Sequence, residues 1–161
     1  LLYVSFIGWF ISFADVMFLM LDVFLLVMFG TALSSIINFF LSSQGQIAAV
    51  GTIMSAGYGF ICGAYMPISS FSSGLQKVVS FLPGTYGTSL VRNHSMNGAF
   101  REMKSVGIPG NVVEMIRDSI DCNLCFFDNK IEIPAMYIIL AVTTIAFVGV
   151  YVALNALKRK P

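Results

Sequence analysis

The chain has 161 residues, of which 57% are hydrophobic and only 11% charged, with a formal net charge of +1. An ordinary soluble domain carries roughly 25% charged side chains, so this composition excludes a water-facing globule. Bases interspersed with acids also leave no basic stripe for phosphate-driven binding, which argues against a nucleic-acid partner.

No Asp, Glu, Lys, Arg or His occurs from Val23 to Gln76 or from Ile133 to Leu157, and about 20 apolar residues suffice for one bilayer crossing. The expected fold is an all-α integral membrane protein, a single membrane domain over residues 1–161. It is a helical bundle with about three full spans, one truncated span and a re-entrant hairpin.

In chain order, residues 1–13 are apolar but too short to cross. They read as a truncated span in a chain whose N-terminal part is missing. Residues 16–41 form a span, the uncharged turn Ser42-Ser43-Gln44-Gly45-Gln46 follows, and residues 47–66 form another span that ends at Pro67. Residues 68–91 are broken by Pro83-Gly84 into pieces too short to cross, the pattern of a re-entrant hairpin. Residues 93–132 hold most of the charged side chains and read as a loop. Within that loop Val112, Val113, Ile116 and Ile120 are apolar at helical spacing, which predicts a short amphipathic helix after Pro109-Gly110. Residues 134–157 form the last span. The dense cluster Lys158-Arg159-Lys160 beyond it predicts a cytoplasmic C-terminus in a multi-pass cell-membrane protein.

Gly51, Ser55, Gly59 and Gly63 recur every four residues and so form one ridge with little side chain, a surface for helix packing either within the chain or across a dimer. Asp15 and Asp22 lie seven apart, about two turns, and so share a face. Asp22 falls about 10 Å inside the span, where an ionised carboxylate is costly without a partner, unless the helix starts late enough to leave it among headgroups. With Thr31, Ser34 and Asn38 it forms a polar strip that either lines a translocation path or bonds to neighbouring helices. Cys122 and Cys125 have the spacing of a redox dithiol or half a metal site, and are otherwise a loop disulfide or two idle thiols. Zinc takes about four ligands and His94 is the only histidine, so no metal site is expected. No nucleotide loop, nucleophile elbow or metalloprotease motif is present, so no catalytic or cofactor-binding residue is assigned.

The run Gly59-Phe60-Ile61-Cys62-Gly63-Ala64-Tyr65-Met66-Pro67-Ile68, then Leu75-Gln76, Phe81-Leu82-Pro83-Gly84-Thr85-Tyr86 and Leu90-Val91-Arg92, resembles the permease subunit of type-2 ATP-binding-cassette (ABC) exporters. The resemblance covers residues 16–92 well and the last helix by position only. It implies the C-terminal portion of a six-span permease whose third to sixth spans would be residues 1–13, 16–41, 47–66 and 134–157. The loop would then be extracytoplasmic, where a Cys122–Cys125 disulfide could persist. It also implies a second permease subunit, as a homodimer, surrounding membrane lipids, and a separate ATPase subunit that binds the ATP. The family's first two spans and its ATPase-contacting helix have no counterpart here.

The function expected is therefore an exporter permease that forms a translocation path with its partner. The alternatives are a membrane redox protein using Cys122 and Cys125, and a non-transporting scaffold or sensor.

Overall fold

The computed structural model describes residues 11–126 and 129–158. Six helices lie among them: α1 (Phe13–Phe39), α2 (Gln44–Ile61), α3 (Ser73–Val79), α4 (Pro83–Ser105), α5 (Gly110–Ser119) and α6 (Ile133–Lys158). A 3₁₀ turn at Ile68–Ser70 precedes α3. A two-stranded antiparallel ribbon, β1 (Cys125–Phe126) and β2 (Asn129–Lys130), precedes α6. The expected truncated span at residues 1–13 falls almost wholly outside the described residues, as do Arg159 and Lys160.

Two helices, α1 and α6, are long and apolar enough to cross a membrane. Only 17% of the most apolar window of α1 and 11% of that of α6 is buried, so these are not the enclosed core helices of a soluble protein. The span expected at residues 47–66 is corrected. The helix starts earlier, at Gln44, because Ser43 and Gln46 form a reciprocal cap, with Gln46 N–H donating to Ser43 Oγ at 3.3 Å and Ser43 N–H to Gln46 Oε1 at 3.3 Å. It ends at Ile61, not Met66. At 18 residues, and diluted by Gln44, Gln46 and several glycines, α2 does not join α1 and α6 in length and apolarity.

Its end is set by Gly63, whose φ of +80° continues a left-handed turn. Ala64 N–H donates to Gly59 O at 2.8 Å and Gly63 N–H to Phe60 O at 3.2 Å, the paired bonds of a Schellman motif. Gly63 is thus a helix terminator, not the fourth member of a packing ridge.

The second correction concerns residues 68–132. Pro83 does break the preceding helix, with Leu82 in an extended conformation, but Pro83 then occupies the first position of α4. That helix runs uninterrupted to Ser105, so no hairpin arm ends at Val91 and the expected loop begins inside a helix. The short amphipathic helix does form, as α5. Its Val113 packs with Phe100 and Cys122 in a small core under the end of α4.

Helix α4 lies against both α1 and α6. It runs antiparallel to α1, since Asp15 meets Arg101, Asp22 meets His94 and Leu26 meets Gly87. A side chain at Gly87 would come within 2.6 Å of Leu26 Cδ1, so glycine sets how closely these helices approach. α6 runs parallel to α1: Phe147 stacks on Phe29 at 5.6 Å, and Lys158 lies over the Phe39 ring at 5.2 Å. The main core sits between them, built on Phe29, Tyr86, Leu90, Met136 and Leu140. By contrast α2 has no buried residue.

Gly63→Ala should lower the melting temperature of the protein, because a left-handed L-residue costs roughly 1–2 kcal/mol and its Cβ would meet Ile68 at 2.8 Å. Gly45→Ala, whose Cβ meets nothing within 4 Å, should leave the thermal melt unchanged. Equal effects of the two substitutions would refute the terminator role of Gly63.

Candidate functional site: a buried polar ladder and an apolar cleft

The two acids of α1 face the interior together. Asp22 is fully enclosed, and both carboxylate oxygens are used: His94 Nδ1 lies 2.6 Å from Oδ2, and the Tyr137 hydroxyl donates to Oδ1. The three residues come from α1, α4 and α6, one from each. Phe18 stacks on the His94 ring at 5.2 Å and helps close the site. A buried carboxyl group is tolerated only when its oxygens are hydrogen-bonded, which these two partners accomplish. One end of α1 holds the second rung. Asp15 accepts from Asn97 Nδ2 at 2.7 Å, from Ser12 N–H at 3.0 Å and from the Arg101 guanidinium.

A second polar centre gathers around Asp121. This residue adopts φ +56° at the end of α5, where a further Schellman turn places Cys122 N–H 2.9 Å from Arg117 O. Its buried carboxylate accepts from Ser69 N–H at 3.0 Å, from Ile68 N–H and from Arg92 Nη1 at 3.1 Å. Arg92 also donates to Gly63 O, and Thr88 Oγ1 donates to Cys62 O at 2.7 Å. Ser89 Oγ donates to Asp121 O at 2.8 Å. The end of α2, the 3₁₀ turn, α4 and α5 are thereby tied at one point.

The third feature is a cleft of about 330 Å³ between α1 and α2. Its α1 wall is Leu26, Phe29, Gly30, Leu33, Ser34, Ile37 and Asn38, and its α2 wall includes Gly51, Met54, Ser55, Tyr58 and Gly59. Gly84 and Thr88, in the first turns of α4, close one end. No charged residue lines it.

These positions divide the residues singled out by sequence. Ser34 and Asn38 line the cleft, whereas Asp22 lies in the three-helix interior and Thr31 is exposed, its hydroxyl turned back on Val27 O at 2.8 Å. Gly51, Ser55 and Gly59 face the same cleft rather than a closely packed helix. A Cβ on Gly51 would meet nothing within 4 Å, and one on Gly59 would meet the Tyr65 ring first, at 2.6 Å. Cys122 and Cys125 are free thiols here, the idle-thiol alternative: Cys122 is buried against Phe100 and Val113, while Cys125 is exposed on β1. Burial pushes the Cys122 thiol up to about 11, so it holds its proton and is a poor redox nucleophile. No metal-ligating cluster exists among the described residues.

His94, Tyr137, Arg101 and Asp121 were not assigned from sequence. For two of them a signal exists: His94 and Arg101 are seven apart, as are Asp15 and Asp22, so reversed pairing satisfies both acids at once. Nothing in the sequence marks Asp121.

Comparisons with protein-family models, with curated proteins and with solved structures find no match to this chain. The functional reading therefore rests on the architecture and on the residues named above.

His94→Ala should destabilise the protein by about 1–3 kcal/mol, the usual cost of leaving a buried carboxyl oxygen without its hydrogen-bond partner. Adding Asp22→Asn should recover part of that loss, because a buried amide with one partner missing costs less than a buried carboxylate. Chemical denaturation of the single and double variants checks this; strictly additive losses would disprove the coupling. With maleimide at pH 8, Cys125 should react within the native fold, whereas Cys122 should react only after denaturation. Rapid native labelling of Cys122 would contradict its burial.

Proposed function

We propose that this chain is the C-terminal part of a multi-pass membrane permease of the type-2 ABC exporter kind, with its C-terminus in the cytoplasm. A second copy would complete the translocation path, and a separate ATPase subunit would bind the ATP. The observation that carries this reading is the inversion of polarity in the bundle. α1 and α6 present Phe24, Val27, Ile138, Ile145 and Val152 outward, while Asp15, Asp22 and His94 are turned inward and paired. That arrangement suits hydrocarbon outside and a structured polar seam inside, where polar groups mark function by default.

The residues of the chain supply geometry and no bond chemistry. The Asp15 and Asp22 rungs make α1 and α4 one body, and α2, with no buried residue, is the element free to shift against it. In such a path ATP binding to the partner acts by favouring one of two arrangements, and its leverage is limited to its differential affinity for them. Ser34, Asn38 and Ser55 give the α1–α2 cleft weak, uncharged polarity, which fits an amphipathic or lipophilic cargo over a bare ion. A redox reading is disfavoured by the separated cysteines.

Purification of the full-length protein from its own host in mild detergent should recover a P-loop ATPase in stoichiometric amount, identified by mass spectrometry. Ser34→Lys should abolish ATP-dependent export while leaving that complex assembled. Repeated purification without an ATPase, under conditions that keep other membrane complexes intact, would sink the proposal.

A further inference from the structure

At the end of the bundle opposite Lys158 lies a second recess, between α4, α5, the ribbon and the first turn of α6. Its polar lining is Asn93, Glu114, Arg117, Asn123, Lys130 and Glu132. Two of the four charges cancel on the spot. Lys130 Nζ donates to Glu114 Oε1 at 2.7 Å, and Asn123 Nδ2 donates to the same oxygen at 3.0 Å. The other two charges are unmet: neither Arg117 nor Glu132 enters a salt bridge among the described residues, with each other or with a third group.

Arg117 is held in place. Its guanidinium carbon lies 5.1 Å from the centre of the Phe100 ring, and Nη2 donates to Asn93 Oδ1 at 2.8 Å. That amide has a fixed sense, because Asn93 is buried and its Nδ2 donates to Ser89 O at 3.1 Å and to Cys122 O. The bond to Asn93 occupies one of the five guanidinium donors, and Nε is buried without any partner. A buried donor left unmade costs about 1–3 kcal/mol, and more in a charged group. Water would meet the hydrogen bond but not the charge. An oxyanion meets both, and its planar or tetrahedral oxygens match the guanidinium fork. A purely anionic ligand would also face Glu132, which is exposed at the rim. The recess is therefore complementary to a ligand that carries an ammonium a few bonds from its oxyanion.

We propose that this recess binds a small zwitterion, with its carboxylate or phosphate on Arg117 and its ammonium toward Glu132. Such a group comes either from a free amino acid or from the phosphoethanolamine head of a membrane lipid, and the test separates these sources. The site rests on the fold and not on the exporter reading, so the two stand or fall separately.

The test uses the full-length chain in mild detergent, titrated by thermal melt at constant ionic strength with glycine and with N-acetylglycine, which keeps the carboxylate but lacks the ammonium. In parallel, the protein is reconstituted in vesicles of equal parts phosphatidylethanolamine and phosphatidylcholine, re-extracted and weighed by native mass spectrometry. A saturable rise in melting temperature, reached with about tenfold less glycine than N-acetylglycine, assigns the soluble source. Retention of phosphatidylethanolamine over phosphatidylcholine, whose methylated ammonium donates no hydrogen bond, assigns the lipid source. Arg117→Gln should weaken whichever response is found by about tenfold or more, the loss expected for a charge-assisted hydrogen bond. Glu132→Gln, a change at an exposed position, should leave the ligand-free melt as in the parent. It should also abolish the preference for glycine over N-acetylglycine, or for phosphatidylethanolamine over phosphatidylcholine. Absence of both responses in the parent would overturn the proposal, as would an unchanged preference in the Glu132→Gln protein.

Discussion

The structure depends on the enclosure of one carboxylate. Asp22 has no exposed surface and sits well inside an apolar helix, so its two oxygens have to find hydrogen-bond partners brought from elsewhere in the chain. His94 and Tyr137 do this from two further helices. Because each side chain is short, the pairing fixes not only which helices meet but at which residue, and the Asp15–Arg101 contact two turns away fixes their sense. Leu26 over Gly87 is the apolar continuation of the same register.

How far the sequence carried is clearest at the ends of the polarity range. The long apolar helices and the amphipathic α5 were legible because their periodicity and length are uninterrupted. Asp15 and Asp22 were legible as a shared face through their spacing. Helix α4 was not, and the reason is physical: its buried face carries Ser89, Asn93 and His94 beside Tyr86 and Leu90, so polarity no longer reports exposure. In such a helix the usual reading of charged and amide residues as a water-facing loop points the wrong way. α2 was overextended for a different reason. Its apolar composition continues to Met66, but the backbone turns at Gly63, and only the hydrogen bonds of the terminating turn reveal it.

Asp121 illustrates a residue whose role is invisible in one dimension. It combines a left-handed backbone, uncommon for a residue other than glycine, with a carboxylate shared among Arg92 and two backbone N–H groups. The backbone geometry closes α5, and the side chain anchors a turn more than fifty positions earlier in the chain. This centre also fixes the end of α2 through Arg92 and Gly63 while leaving the rest of α2 unburied. One end of that helix is clamped and the remainder stands off from α1, which is the origin of the cleft.

The polarity of α4 bears on how the protein is made. A helix carrying Arg92, Arg101 and Lys104 has little tendency to partition into hydrocarbon alone, because each such charge is penalised at insertion. It needs α1 already in place to offer Asp15 and Asp22. Chain order permits this, since α1 is synthesised first, whereas Tyr137 emerges only with α6. The last helix therefore completes a pairing that the first two have begun. Defects in the ladder would then register as failed biogenesis and degradation, with less protein reaching its destination, before any loss of specific activity could be observed.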